Sequence, residues 1–587
     1  ANSGFFRFKN ILITNKFLIG KFFDVGIIQQ KSLLKRQTLV FIMFRMLKNR
    51  ILPLKKIRCI VTVSLITMHN DKQKIIEDKA LPKSIRSVVR MYPSNQINRL
   101  FYGGLPHLGN ALLGSWSLPE IQEAARAYED YSLSSNLLIK SFESPTLDKV
   151  RLGGGSPARF KPFGKCLTNI KQSLENRILS DYPLAAGADV DKVPIIEYFE
   201  NLYSLKINEN NIIFTHSSTQ AFTLVMESIL DYGDVVLMTA PNYGLFSFIP
   251  ERAGGRVRLL QLTNLDGWKV NPEKLKRLIV EINNELESDY DINRGKYIFR
   301  RSDLPPRVSV FVNLNPHNPT GMVYSQKDKM LLLEISNVCK ETGVFIVDDL
   351  AYAGLEYDRN NPALPICSLG GHFDNTITLY SLSKSCGLAG IRSGMVVANE
   401  IISSLIRDKI FQVSDSLSLV QSSAMSAIFS SDGILAKERE DYLTHITKEY
   451  YQRYIFVKAI IVGADNLKKQ EKTLLDKILN DNMLNIGGAK SMNGIKDVSI
   501  ALEPESGFFV ILDLSKLLGK SYKGFRIIDD KTMLQFLYTS GNIKLLPGKA
   551  FCWSDREQLV VRATIALEYT ELLKSFLRFK SSIELLA

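Results

Sequence analysis

Four apolar runs, Val235–Ala240, Val308–Leu314, 344–349 and 376–380, are each long enough for a buried strand, and they constrain the fold of this chain more than any other feature. Amphipathic stretches such as 326–340 lie between them. Strand and helix are therefore expected to alternate, giving an α/β architecture with a mostly parallel sheet and ligands at the strand ends. Each run also stops at residues with chemistry: Pro241-Asn-Tyr243, Asn315-Pro-His-Asn-Pro-Thr-Gly321, Asp348-Asp349, and a lysine-bearing loop. At 587 residues, with 45% hydrophobic and 23% charged residues, the chain is globular and longer than one ordinary domain.

The loop is Ser381-Leu-Ser-Lys-Ser-Cys-Gly-Leu-Ala-Gly-Ile-Arg392, one lysine among hydroxyl residues with an arginine eight positions on. Lys384 is expected on a loop leaving a buried strand, where a desolvated amine can form a Schiff base, which suggests pyridoxal phosphate; a structural loop is the competing reading. Ser381 and Ser383 offer hydroxyls, Gly387 and Gly390 permit close backbone approach, and Arg392 offers a planar fork suited to phosphate. Two Asn-Pro steps after the 308–314 run force a sharp turn, in which the Asn318 amide can donate to a phenolate oxygen; a plain turn is the competing reading. The 344–349 run ends in two carboxylates, with Tyr352 three residues beyond. A carboxylate there needs a partner. A pyridinium nitrogen serves Asp349, with Tyr352 bonded to the same ring's phenolate oxygen; a metal at Asp348 and Asp349 is the rival reading and lacks further ligands nearby. Arg562, in the alternating strand pattern Val560-Val-Arg-Ala-Thr-Ile-Ala, is costly unless it faces a cleft.

The ordered series of a Gly-rich start, Asn-Pro-Thr-Gly, Asp-x-x-Tyr, Ser-x-x-Lys and a late Arg resembles the fold-type I pyridoxal-phosphate enzymes of the class I/II aminotransferase family, over roughly residues 150–577. The resemblance implies a large domain with a mostly parallel central sheet, and a smaller α+β domain built from both ends of the catalytic region. The expected segments are an N-terminal extension at 1–145, the first part of the small domain and interface at 146–194, the large cofactor-binding domain at 195–415, and the rest of the small domain at 416–587. It implies that Lys384 is the Schiff-base lysine and shuttles the substrate proton, that Asp349 meets the pyridine nitrogen, and that Asn318 and Tyr352 hold the ring hydroxyl. Ser381, Ser383 and Arg392 match the phosphate binders. Ser217, Ser218 and Thr219, between strand-like 211–214 and helix-like 221–230, resemble the family's phosphate loop, although the family usually has Gly where Ser217 or Ser218 stands; ordinary helix capping competes. Tyr243 matches the residue stacked on the ring, with an ordinary core tyrosine as the competing reading. Tyr182, in Asp181-Tyr-Pro-Leu-Ala-Ala-Gly187, resembles a tyrosine that reaches the neighbouring subunit's phosphate, which implies a homodimer. Arg562 matches the grip on the substrate α-carboxylate, with Asn318 beside it. Gly155, in Leu152-Gly-Gly-Gly-Ser-Pro157, matches the glycine that lets backbone approach that carboxylate; a flexible linker is the competing reading. His216 and Cys386 receive no role.

The net charge of +14 is uneven: residues 1–70 hold thirteen Lys/Arg and one acid, Asp24. The basic excess thus describes the extension and says little about the substrate. For residues 1–67 three readings compete: an organelle-targeting presequence, a membrane-surface segment, or translated sequence upstream of a start at Met68, with the last favoured. No uncharged apolar run reaches the roughly 18 residues of a spanning helix. A soluble protein is expected, cytoplasmic, or in the mitochondrial matrix if the N-terminus is a presequence. The six scattered cysteines form neither a zinc site nor a disulfide framework, and no metal is expected. Segments 283–307 and 466–498 read as polar insertions. Residues 70–150, with Phe101-Tyr-Gly-Gly-Leu-Pro and Trp116, read as a cover for the site entrance or the interface.

The resemblance favours transamination between an L-amino acid and a 2-oxo acid. The same cofactor also supports a lyase, a decarboxylase, an ACC-synthase-like ring closure or an oxidase. Family members taking dicarboxylic substrates carry an added arginine downstream of the lysine, and 411–423 has none; Arg99 and Arg151 are the other candidates. An aminotransferase-like transcriptional regulator is the remote alternative. No helix-turn-helix pattern is found between residues 1 and 145, and no nucleic-acid partner is expected.

Overall fold

The computed structural model describes residues 148–177, 179–297, 299–430, 433–483, 492–553 and 558–586, all within one compact unit. The basic extension, Met68, Arg99, the 101–106 segment, Trp116, Cys59 and part of the 466–498 insertion lie outside the described residues.

Seven strands form the larger sheet: β1 (Ile212–Thr215), β2 (Val235–Ala240), β3 (Arg256–Gln261), β4 (Val308–Leu314), β5 (Phe345–Asp349), β6 (Thr376–Ser381) and β7 (Gly394–Val397), in the order β1-β7-β6-β5-β4-β2-β3. From β3 to β6 all neighbours are parallel, while β7 is antiparallel to both of its own. Helices cover both faces, which is why the central strands read as unbroken apolar runs. Val236 and Met238 face one core with Ala221, Phe222, Ile402 and Ile406; the alternate residues Val235 and Leu237 face the other with Leu275, Ile279, Leu332 and Ile335.

A second, antiparallel sheet comprises β8 (Ser499–Ile500), β9 (Phe509–Asp513), β10 (Leu546–Pro547) and β11 (Val560–Thr564), ordered β10-β11-β9-β8. Its core joins Val150 and Leu152 to Tyr450, Phe508, Val561 and Phe576. The strand Val150–Arg151 pairs in parallel with Ile543–Lys544, and the Thr564 N–H donates to the Leu152 carbonyl. These bonds bring the glycine-rich start beside Arg562.

Several expected boundaries move. The helix after β1 begins at Ser217 and runs to Ile229, four residues ahead of the apolar periodicity, because its hydroxyl-rich first turn carries little core. The 326–340 stretch opens as a 3-10 turn, Gln326–Asp328, before the α-helix Lys329–Thr342. The 283–307 segment is not an insertion throughout: its first part belongs to the helix Pro272–Ile292, which buries only Leu275, Ile279, Ile282 and Leu286, so its solvent face reads as a polar break. Arg300 pins the remainder to Asp234 at 2.8 Å. Likewise the helix Lys469–Asp481 lies inside 466–498. The expected division at 194 falls within the helix Val193–Tyr203, and that at 415 falls just after the helix Glu400–Ser414. No helix among the described residues is long and apolar enough to cross a membrane.

Candidate active site

Parallel neighbours place the carboxyl ends of β2, β4, β5 and β6 along one edge of the sheet, and those ends carry Tyr243, Asn318, Asp349 and Lys384. The second sheet adds Arg562 from β11.

Lys384 sits in the turn after β6, half-buried, and its amine donates to the Gly155 carbonyl at 2.5 Å. Burial first, then the charges of Arg562 and Arg392, pull its pKa from 10.5 to about 8, against the pull of Asp349. Asp349 is 7% exposed and accepts from the Ala351 N–H at 3.1 Å. Burial raises its carboxyl from 3.8 to about 7; the main-chain bond and Lys384 oppose this, and Asp348 adds to it. Asp348 is engaged elsewhere, by Asn313 Nδ2 and the Ile366 N–H, both at 2.8 Å.

The Arg562 guanidinium lies 3.9 Å from the centroid of the Phe509 ring and donates to Asn318 Oδ1 at 3.1 Å and to the Gly153 carbonyl at 3.3 Å. Arginine only donates, so the Asn318 oxygen faces it and the amide hydrogens are left for another acceptor. A Cβ on Gly155 would lie 3.9 Å from Arg562 Nη2, ordinary contact distance, so this backbone borders the guanidinium. The Tyr352 ring centroid is 5.7 Å from Lys384 Nζ. Burial raises the Tyr352 hydroxyl pKa, partly offset by Arg562. Tyr243 is half-buried; burial raises its pKa too, and Arg562, Asp349 and Arg392 all act on it.

Arg392 donates to Ser217 Oγ at 2.8 Å, and the Ser381 hydroxyl donates to Ser383 Oγ at 3.0 Å. Ser218 and Thr219 are half-buried in the first turn of the Ser217–Ile229 helix, where main-chain N–H groups favour an anion. Ser217 has φ +83°, the left-handed region that glycine adopts freely, and a Cβ on Gly394 would lie 2.5 Å from the Ser217 carbonyl carbon. A glycine on β7 thus makes room for a strained serine in the loop. Ser217→Gly is expected to stabilise the apoprotein by about 1 kcal/mol and to weaken retention of a phosphate ligand, since Arg392 loses its hydroxyl partner. Thermal denaturation with and without the ligand checks both.

These groups fit pyridoxal phosphate. A buried acid with a pKa raised to about 7 suits a cationic ring nitrogen better than water. The serine loop with Arg392 suits a phosphate.

Tyr182 is not part of this cluster; it is 84% exposed. Arg151 is exposed on its short strand. Sequence reasoning passed over His317, which lies buried under the Asn318 turn with Nδ1 2.8 Å from Thr320 Oγ1 and Nε2 3.2 Å from Thr239 Oγ1. Burial lowers its pKa to about 3, so it stays neutral and braces the turn. Its place between two Asn-Pro steps was the available signal. Gln421 was also missed: its Nε2 is 2.5 Å from His216 Nδ1, and no motif marks it.

A profile of the family described as aminotransferase class I and II matches residues 148–472. The chain is 22% identical over 443 residues to an aspartate aminotransferase of Pyrococcus horikoshii, spanning 74% of this chain and 91% of that one. It is 26% identical over 320 residues to an LL-diaminopimelate aminotransferase of Natranaerobius thermophilus, spanning 54% and 72%. Among solved structures, the aspartate aminotransferase from Rhizobium meliloti superposes with a TM-score of 0.59 at 20% identity, covering 80% of this chain and 96% of that one. At that identity the superposition speaks for the fold.

Proposed function

The chain belongs to the class I and II aminotransferase family and is an aminotransferase; from that premise we propose that it moves an amino group between an L-amino acid and a 2-oxo acid, with pyridoxal phosphate bound at Lys384. The observation that carries this reading is the meeting of three groups from distant parts of the chain: an amine with a pKa near 8, a buried acid with a pKa near 7, and a guanidinium stacked on an aromatic ring.

Bound there, pyridoxal phosphate supplies an aldehyde for the amino group and a ring that takes up the electron pair left when a proton leaves Cα. The chain's own residues do the rest. Arg562 grips the α-carboxylate with a planar fork and thereby fixes the Cα–H direction. Asn318 accepts from Arg562 with its oxygen, and its amide hydrogens, with the Tyr352 hydroxyl, would serve as donors to the cofactor's ring oxygen. Asp349 would keep the cofactor's ring nitrogen protonated, and Tyr243 would offer its aromatic face to the ring. Ser217, Ser218, Thr219, Ser381, Ser383 and Arg392 would hold the phosphate. Lys384, whose pKa lowered to about 8 leaves far more of it neutral than an ordinary lysine, would take the proton from Cα and give it up on the far side of the transferred nitrogen.

The same reading takes 195–415 as the cofactor-binding domain, and 146–194 with 416–587 as the smaller one. It also takes the active form as a homodimer. Support comes from Tyr182, which lies near Leu179 and Leu184, 60% and 59% exposed, on a surface that suits a second copy contributing Tyr182 to the phosphate.

Two measurements test the chemistry. Covalent uptake of added pyridoxal phosphate by the apoprotein needs a neutral amine. The folded pKa is depressed, so the neutral fraction grows as pH rises through about 8 rather than 10.5, and the uptake rate is expected to rise with a midpoint there. Asp349→Asn, which cannot be a counter-ion, is expected to lower kcat by at least about a hundredfold while the protein stays folded; steady-state kinetics beside circular dichroism checks this. A midpoint near 10, or an unimpaired Asp349→Asn enzyme, contradicts the assignment.

A further inference from the structure

The glycine-rich segment 152–163 has no regular secondary structure and runs beside the amine and the guanidinium. After the Gly153 N–H, which donates to the Lys544 carbonyl at 2.9 Å, three hydrogen bonds tie residues 153–160 to the rest of the described protein. The Gly153 carbonyl accepts from Arg562 at 3.3 Å, the Gly155 carbonyl accepts from Lys384 at 2.5 Å, and the Ala158 N–H donates to the Tyr450 hydroxyl at 2.9 Å. The first two end on side chains that the amino-transfer reading commits to substrate and cofactor, and the present inference rests on that reading. Once those side chains turn to their ligands, the bond to Tyr450 is the tether that remains.

Tyr450 is built for that task. It is fully buried on the long helix Gly433–Val462, with its ring edge-on to Phe160 at 5.2 Å and 5.2 Å from Phe508, whose own ring lies 5.9 Å from Lys384 Nζ. One helical turn on, Arg453 is 3% exposed and lays its guanidinium 4.8 Å from the Phe160 centroid and 5.6 Å from that of Tyr569. Among the described residues its Nε and Nη1 have no hydrogen-bond partner, and Glu568 stands 3.6 Å from Nη2. A buried guanidinium so poorly hydrogen-bonded is held by aromatic faces, where its planarity matters and its charge alone does not suffice. Phe160 is therefore clamped by two residues three apart on one helix face, and the N–H of Ala158, two residues before it, is fixed by the same helix.

We infer that Tyr450 and Arg453 are positioning residues that hold the glycine-rich segment closed beside Arg562 while Lys384 and Arg562 are engaged, and that they thereby set affinity for the amino-acid substrate. They touch neither the reacting atoms nor the phosphate site, so their loss acts on binding rather than on the chemical step.

Hydrogen exchange over peptides covering 152–163 tests this in the full-length protein, with pyridoxal phosphate alone and with an added amino acid, beside steady-state kinetics. Tyr450→Phe removes the acceptor and keeps the ring. It is expected to speed exchange in this segment severalfold, and to raise KM for the amino acid about fivefold with kcat within about twofold of the parent. Arg453→Lys keeps the charge, loses the plane, and moves both readouts the same way. Unchanged exchange in both variants overturns the inference. So does a fall in kcat and cofactor affinity alongside faster exchange throughout the 433–462 helix, the pattern of general destabilisation. A segment that loosens in Tyr450→Phe but is slowed by no amino acid overturns the amino-transfer reading and the substrate role with it, leaving the tether itself.

Discussion

Lys384→Ala is expected to lower the rate of amino transfer by at least about a thousandfold, because proton transfer at Cα loses its acid–base group. The substitution also removes the covalent anchor for the cofactor. Retention should nevertheless persist at reduced affinity, because the phosphate side of the site comes from other elements: Arg392 bonded to Ser217 at 2.8 Å, the Ser381–Ser383 pair, and the N-terminus of the helix Ser217–Ile229. Folding should survive, since the described hydrogen bond lost is the one to the Gly155 carbonyl. Two readouts separate anchor from proton carrier. Equilibrium dialysis measures what cofactor is retained, and an external small amine added to the variant should restore part of the proton transfer without restoring the anchor. A variant that keeps more than a tenth of parental turnover contradicts the assignment.

Arg562→Ala is expected to lower kcat/KM by roughly a hundredfold to a thousandfold, the usual range when one partner of a buried charge pair is removed. The loss has two sources. The substrate α-carboxylate would lose its fork, and Asn318 Oδ1 and the Gly153 carbonyl, which accept from Arg562 at 3.1 and 3.3 Å, would lose a donor. Arg562→Lys distinguishes them, since it keeps a charge but cannot make two parallel bonds or stack its plane on Phe509 at 3.9 Å. It should recover a small part of the loss. Cofactor absorbance should be intact in both variants, and a protein that cannot retain the cofactor would indicate a structural role.

The strand-end residues were legible because a sheet buried on both faces leaves little freedom: its strands read as apolar runs, and the short polar segment that ends or follows each run is at the edge where ligands sit. Asn318, Asp349 and Lys384 all announce themselves this way. Arg562 was legible for the opposite reason, as a charge in an alternating strand. What it packs on was not, since Phe509 is its neighbour only through the pairing of β9 with β11. The strain at Ser217 was invisible because it depends on Gly394, far along the chain, giving way to its backbone. His317 and Gln421 act through contacts with other elements and carry no spacing of their own. The helical part of 283–307 was hidden by its wide solvent face, and the tether at Tyr450 by the 292 residues that separate it from Ala158.

The most direct test of the account is the absorbance spectrum of the purified protein, reconstituted with pyridoxal phosphate and followed on addition of single amino acids, with Lys384→Ala alongside. The expected result is a protein-bound cofactor band that one amino acid converts to the amine form of the cofactor, that a 2-oxo acid restores, and that the variant changes at least a thousandfold more slowly. A protein that acquires no cofactor band, or whose band is consumed with release of ammonia or carbon dioxide instead of being restored by a 2-oxo acid, would contradict it.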